Sequence, residues 1–416
     1  MDYIINGGIR LSGSISIESA KNSVLPILAA AALIEDNVVI EKCPDISDVR
    51  DMAGILRDLG VKAEFGEKSA EINGKGCIKT EFSEEIAAKV RTSVLMLGAL
   101  CGRAGSARIP LPGGCDIGAR PIDIHIKAFR DLGADVYAEN GKVICRSKIA
   151  GGKTVLPFPS VGATENVMIG AALSSGETVV YNAAKEPEIV DLANFLNASG
   201  ARISGAGTSV IKIEGVKRLC GVRFCASPDR IETGTYLIAA AITGGEVELR
   251  GVKSENISTL IGKLCENTCK VIVKNDIIYL RSGRNRKGFS VSTGPYPMFP
   301  TDLQPQATAL AAVSEGVSVI TERVFRNRFY HAHELCRMGA NIRVRGASAR
   351  VTGVSGLHGA EVYAHDLRCG ASLVVAGLNA EGTTVVKDVV HLERGYSEMD
   401  KKLLSLGAEI EKRDRV

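Results

Sequence analysis

A two-part signature recurs six times along this chain of 416 residues, and it limits the possible folds more than any other feature. The first part is an apolar helix-forming stretch, a turn at Gly or Asp, and a β-rich stretch. It occupies residues 21–40, 91–109, 164–180, 229–249, 302–320 and 366–386, with turns at Asp36, Gly105, Gly176, Gly245, Gly316 and Gly382 about 70 residues apart. The second part follows each turn by about 25 residues: a helix ending in Leu-Gly or a similar pair, then an alternating strand, at 55–65, 128–138, 195–205, 264–274, 334–344 and 402–412. Its glycines are Gly60, Gly133, Gly200, Gly339 and Gly407, at the position past a helix end where φ turns positive. The fourth copy has Thr268 there, which predicts a different cap. Two signatures in register six times indicate a repeat architecture.

A unit of helix, strand, helix and two strands cannot bury both of its faces alone. Three units are therefore expected to close around shared helices, and six units to make two domains. The predicted boundaries are 20–226 for the first domain, and 1–19 with 227–416 for the second, with the active site in the cleft between them. The 45 glycines show no low-complexity run, which reads as many tight turns.

Charge and cysteine usage exclude several classes. A net charge of +4 without a basic stripe does not suit a nucleic-acid binder; Arg281, Arg284, Arg286 and Lys287 read as a solvated loop. Eleven cysteines without a CxxC fit reduced thiols in the cytoplasm, and the Cys265–Cys269 spacing is a poor zinc pattern. The apolar run from Val24 to Ile34 is too short to span a bilayer and reads as a buried helix. No membrane association, metal or obligate protein partner is expected.

The polar exceptions gather where the repeated helices start. Asp229, Asp302 and Asp366 suit helix caps. Lys21, Arg91 and Arg368 do not, because a cation at a helix start opposes the helix dipole. The arrangement is sensible if an anion, a phosphate or a carboxylate, neutralises both. A second feature is the irregular stretch 110–125, PLPGGCDIGARPIDIH. Cys115 lies in it five residues from Arg120, and a nearby guanidinium favours the reactive thiolate. Asp302, in FPTDLQ (299–304), could instead serve as the base for a substrate hydroxyl. Arg323, Arg326, Arg328 and His331 form a basic stretch, and His331 with His333 is a weak metal pair. Arg394, in LERGY (392–396), reads by itself as a surface ion pair.

Taken together, AKN (20–22), LPGGCDIGARPID (111–123), SVGATEN (160–166), PDRIETGT (228–235), FPTDLQ (299–304), NRF (327–329), DLR (366–368) and RGY (394–396) resemble the enolpyruvyl transferase family, in particular its branch acting on UDP-N-acetylglucosamine. The resemblance covers nearly the whole chain. It implies an α/β fold of two inside-out α/β barrel domains, each of three repeated units. It also implies transfer of enolpyruvyl from phosphoenolpyruvate to the sugar 3-hydroxyl, by addition and elimination, with no metal or organic cofactor. Carried over residue by residue, Cys115 would be the general acid, able to form a covalent adduct and open to fosfomycin. Asp302 would take the hydroxyl proton, and Lys21, Asn22, Arg120 and Arg394 would hold phosphoenolpyruvate. Arg91, Arg120, Pro121, Ile122, Asp123, Ile124, Ser160, Val161, Gly162, Asp302 and Val324 would hold the UDP-sugar, with Arg328, Asp366 and Arg368 in support. Ser19, Arg326, Cys369-Gly370 and Thr268 depart from the family pattern, none at a catalytic position. The rival readings are the sister reaction on shikimate 3-phosphate and a non-catalytic UDP-sugar-binding paralogue.

Overall fold

A helix buried on nearly every side sits inside a protein, and six of the described helices are of this kind. In the computed structural model, which describes residues 1–76, 78–111, 122–283, 285–325 and 328–414, they are α1 (Lys21–Ala31), α2 (Met96–Ala104), α3 (Val161–Ala171), α4 (Arg230–Thr243), α5 (Gln304–Ala312) and α6 (Leu367–Asn379). Every residue of α5 is buried, and in α1 only Asn22 is not. The second helix of each unit is one-sided instead. Ser47–Asp58 turns Val49, Met52, Ala53, Ile55 and Leu56 inward and leaves its other residues, Asp48 apart, toward water. The strands alternate likewise: Val210–Glu214 buries Ile211 and Ile213 between outward-facing neighbours. Sheets with one wet face lie outside and apolar helices lie inside, which makes an inside-out α/β barrel.

Two compact units are built this way. Residues 19–111 and 122–227 form the first, and residues 1–18 and 228–414 the second. The first unit gathers α1, α2 and α3. There α2 and α3 approach so closely that a Cβ on Gly98 would lie 2.4 Å from the Asn166 carbonyl oxygen, so no larger residue fits. The second unit gathers α4, α5 and α6 inside three four-stranded sheets. The N-terminal strand Asp2–Asn6 completes one of these sheets. It inserts antiparallel between Thr383–Lys387 and Glu409–Arg413, with Tyr3 opposite both Val386 and Lys412.

The structure revises four sequence readings. Thr268 does not use a different cap: it adopts φ +76°, as Gly60 adopts +91° in the first copy. The reason is the closing hydrogen bonds, which need that backbone whatever the side chain. Thr268 N–H donates to Cys265 O and Cys269 N–H to Leu264 O, as Gly60 does to Arg57 O and Val61 to Leu56 O. Second, Arg286 is not part of a solvated loop. It is half-buried and donates to Ala241 O (3.3 Å) and Ile242 O (2.7 Å), carbonyls in the last turn of α4. Third, α3 begins at Val161 rather than Thr164, because the Ser160 hydroxyl accepts from Ala163 N–H and caps it there. Fourth, the left-handed turn after α4 falls on Gly244 rather than Gly245.

The Thr268 conformation supports a stability prediction. A left-handed backbone costs a side-chain-bearing residue roughly 1–2 kcal/mol, partly offset here by the Thr268 hydroxyl donating to Asn285 O. Thr268→Gly is therefore expected to stabilise the protein by about 1 kcal/mol. Calorimetric melting tests this, and a lower melting temperature than wild type would show that the hydroxyl bond outweighs the backbone penalty.

Candidate active site

In the first unit, the polar groups collect at the starts of the central helices. Lys21 is the first residue of α1, and its Nζ donates to Asp48 Oδ2 at 2.8 Å. One carboxylate that offsets the cation is thus internal, from the first turn of Ser47–Asp58. Asn166 of α3 ties three segments together. Gly98 N–H donates to its Oδ1 (2.6 Å), which orients the amide, so Nδ2 donates to Val94 O (2.9 Å) and to His125 Nδ1 (3.0 Å). His125 therefore carries its proton on Nε2. Its ring lies beside Gly162, where an added Cβ would be 3.4 Å from Cε1. Burial pushes His125 down to about 4, against a smaller opposing effect of Asp123, so it is neutral at physiological pH. Glu165, one residue before Asn166, is pushed well above the ordinary carboxyl range by burial, then by Glu188 and Glu186.

In the second unit the starts of α5 and α6 share one charged cluster. Asp302 sits in the turn Thr301–Leu303 ahead of α5. Its Oδ1 accepts from Arg328 Nη2 at 2.9 Å and its Oδ2 from Arg368 Nη2 at 3.0 Å. Asp229 and Asp366 behave differently: each accepts backbone N–H groups of its own helix start and is a cap. The Arg328 and Arg368 side chains are 4% and 5% exposed, whereas Asp302 remains 25% exposed. The cluster thus holds a carboxylate firmly while leaving part of it open.

A second carboxylate braces this arrangement from below. Glu322 is buried, and its Oε1 accepts from Thr293 Oγ1 (2.8 Å), Val324 N–H (2.7 Å) and Phe325 N–H (3.1 Å). Its Oε2 accepts from Thr301 Oγ1 (2.8 Å), which in turn accepts from Arg328 Nη1 (2.9 Å). The backbone of Val324 and the turn bearing Asp302 are therefore fixed to one side chain. His331 lies nearby; burial first, then Arg328, pushes it down to about 3, with Asp366 opposing.

The structure gives the remaining sequence-predicted residues these places. Asn22 is half-buried in the first turn of α1, and Arg91 is half-buried at the head of the turn Arg91–Leu95. Ile122 precedes the helix Asp123–Asp131, in which Asp123 Oδ1 accepts from Ile124 N–H. Ser160 is spent as the cap of α3, and Val161 and Gly162 form its first turn. Arg394 ends the helical turn Val389–Arg394, half-buried. Cys115, Arg120, Pro121 and Arg326 lie outside the described residues. Asp48, His125 and Glu322 escaped sequence reasoning. His125 closes the stretch 110–125 singled out there, but a lone histidine carries no spacing signal.

The depressed His125 value makes a stability prediction. An unfolded histidine titrates near 6.5, and folded His125 does so at about 4. Above about pH 6.5 both states are neutral; as pH falls through that window only the unfolded state gains the proton, so stability is lost. The loss from this residue approaches about 3 kcal/mol at pH 4. His331 adds a loss of the same sign, whereas Glu232, raised to about 7 by burial, adds stability as pH falls. Comparing wild type with His125→Asn isolates the His125 contribution. Urea midpoints at pH 7, 5.5 and 4 should fall less steeply in the variant, and equal slopes would contradict a buried neutral His125.

Among the described residues no group of three or more His, Cys, Asp or Glu is arranged to hold a metal ion. The sequence profile described as EPSP synthase (3-phosphoshikimate 1-carboxyvinyltransferase) matches residues 5–403. UDP-N-acetylglucosamine 1-carboxyvinyltransferase 1 of Caldanaerobacter subterraneus is 48% identical over 414 residues, 98% of each chain. UDP-N-acetylglucosamine 1-carboxyvinyltransferase 2 of Carboxydothermus hydrogenoformans is 48% identical over 413 residues, 99% of each. Among solved structures, the enolpyruvyl transferase NikO of Streptomyces tendae superposes with a TM-score of 0.89 at 25% identity, covering 99% of this chain and 98% of that one. An EPSP synthase of Acinetobacter baumannii, at 18% identity, shares the fold with a TM-score of 0.76 over 99% of this chain and all of its own. A profile match over nearly the whole chain, together with full-length relatives at 48% identity, shows that this protein belongs to the enolpyruvyl transferase family that includes EPSP synthase.

Proposed function

We propose that this chain transfers the enolpyruvyl group of phosphoenolpyruvate to the 3-hydroxyl of UDP-N-acetylglucosamine and releases phosphate, in the cytoplasm, as the committed step of peptidoglycan precursor synthesis. The observation that carries the reading is Asp302: a carboxylate fixed by two buried arginines yet partly open, as a group that must meet a substrate hydroxyl should be. The names of the full-length relatives support the acceptor. No described helix is long and apolar enough to cross a membrane.

In this reading the motif residues act in one reaction. Lys21, Arg120 and Arg394, with Asn22 beside them, hold the phosphate and carboxylate of phosphoenolpyruvate. Arg91, the 120–124 stretch, 160–162 and Val324 hold the UDP-sugar. Cys115 gives a proton to the enol carbon while the sugar oxygen bonds to the neighbouring carbon and Asp302 takes the hydroxyl proton. Loss of a proton from the former enol carbon then expels phosphate and restores the double bond. Charge develops beside a dianion, so fixed cations lower the barrier by being oriented beforehand. The same thiol is the expected target of fosfomycin.

Phosphate release from phosphoenolpyruvate, measured with UDP-N-acetylglucosamine and separately with shikimate 3-phosphate, tests the proposal. Turnover with the UDP-sugar alone is expected. Turnover with shikimate 3-phosphate alone would assign the sister reaction named in the family profile. Tight UDP-sugar binding with no turnover would make the chain a binding protein.

A further inference from the structure

The RGY motif contains a group that the proposed reaction does not use, the phenol of Tyr396. It is buried, and it meets one residue from each of the three central helices of the second unit. Its oxygen lies 2.9 Å from Thr235 Oγ1 on α4, 3.2 Å from Gln306 Nε2 on α5 and 3.1 Å from Arg368 Nη1 on α6. Gln306 Nε2 also reaches Thr235 Oγ1, at 3.1 Å. Thr235, Gln306 and Arg368 are themselves buried.

The hydrogens of this junction can be assigned one way only. The Thr235 hydroxyl donates to Ile231 O at 2.8 Å, so its single proton is spent. The Tyr396 hydroxyl must then donate to Thr235. The phenol oxygen accepts from Arg368 and from Gln306, which divides its two amide hydrogens between Tyr396 and Thr235. Every lone pair and proton of the two hydroxyls has a partner, although Gln306 Oε1 accepts no bond, and such buried pairing restricts both side chains. The Arg368 guanidinium also lies 5.6 Å from the centre of the Tyr396 ring, a cation–π contact.

Arg368 is held at one nitrogen by Tyr396 and holds Asp302 with the other. An arginine on a long flexible stem aims well only if both ends of its fork are tied. We propose that Tyr396 is a positioning residue that sets the aim of the Asp302 carboxylate through Arg368. The inference rests on the role given to Asp302 above. Tyr396 touches no reacting atom; it removes a rotational freedom that would otherwise be available to the catalytic carboxylate.

Tyr396→Phe keeps the ring and removes the hydroxyl. A misplaced catalytic group costs on the order of a hundredfold, and the expected loss in kcat is about 10- to 100-fold. KM for the UDP-sugar should change by less than about twofold, because ground-state binding is not what the hydroxyl supports. Arg368→Lys, whose ammonium cannot reach both partners as a fork, should lose kcat comparably. The double variant should fall no further than Arg368→Lys alone, since Tyr396 acts through that residue. Arg286→Gln, which weakens the end of α4 away from this junction, is the control for lost stability and should keep wild-type kcat. A folded Tyr396→Phe with normal kcat, or losses that multiply in the double variant, overturns the inference. If Tyr396→Phe does not fold, a normal kcat in Arg368→Lys overturns it. Asp302→Asn is measured alongside. Lost turnover there with normal Tyr396→Phe removes this inference alone, whereas normal turnover in Asp302→Asn removes the Asp302 assignment as well.

Discussion

Asp302→Ala is expected to lower kcat by about a thousandfold or more while leaving nucleotide binding measurable. General-base participation is worth roughly 10²–10⁴ in rate, and the variant also loses the alignment of the attacking hydroxyl. The alternative, that Asp302 is a helix cap, predicts a modest stability loss and near-normal turnover. Asp229 and Asp366 accept from the N–H groups of their own helices, whereas Asp302 accepts from Arg328 and Arg368, an arrangement that favours the first reading. Removing Asp302 leaves those two buried guanidinium groups without their shared carboxylate, so stability should fall too. Asp302→Asn, which keeps the shape and one acceptor, separates the effects. It should recover part of the stability and little of the turnover. Phosphate-release kinetics and calorimetric nucleotide titration read both, and near-wild-type turnover in either variant would end the catalytic assignment.

Lys21→Met is expected to lower kcat/KM for phosphoenolpyruvate by about a thousandfold, with UDP-sugar affinity little changed. A dianionic phosphate near the start of α1 would gain from both the ammonium and the helix end. Lys21 is also paired with Asp48, whose carboxylate is 5% exposed, so the variant buries an uncompensated charge. That should cost about 3 kcal/mol of stability. Adding Asp48→Asn should restore the stability and leave the kinetic defect in place. If the double variant regained turnover, Lys21 would be a structural partner of Asp48 and nothing more.

Much of the architecture was legible beforehand because it repeats. A central helix such as α1 is apolar on nearly every side beyond its first turn, and that pattern has one physical solution, burial. The helix-end glycines were legible for a similar reason, since a left-handed backbone leaves few residue choices. Thr268 shows the limit. Composition suggested a different cap, but the hydrogen bonds that close the helix impose the same backbone on threonine at an energetic cost. Arg286 shows another limit, because a basic side chain in a polar stretch looks solvated until the carbonyls it meets are known.

The candidate site divides in the same way. Residues in dense motifs, such as Lys21, Asp302 and Arg368, were visible as polar exceptions at helix starts. Their partners were not. Asp48, Glu322, His125 and Tyr396 act across the fold: Glu322 joins Thr293, Thr301 and Val324, and Tyr396 joins α4, α5 and α6. A hydrogen bond depends on a few ångströms and an angle, and neither can be read along a chain when most of these partners lie some twenty to a hundred and sixty positions apart.

The sequence by itself determined that this protein is a sixfold repeat of apolar helices and one-sided sheets, because hydrophobic periodicity and backbone chirality act locally and recur in every unit. Only the tertiary structure decided which partners three similar aspartates find. Asp229 and Asp366 find N–H groups within their own helix starts, whereas Asp302 is met by guanidinium groups from two other segments, and that encounter exists only after the chain has folded.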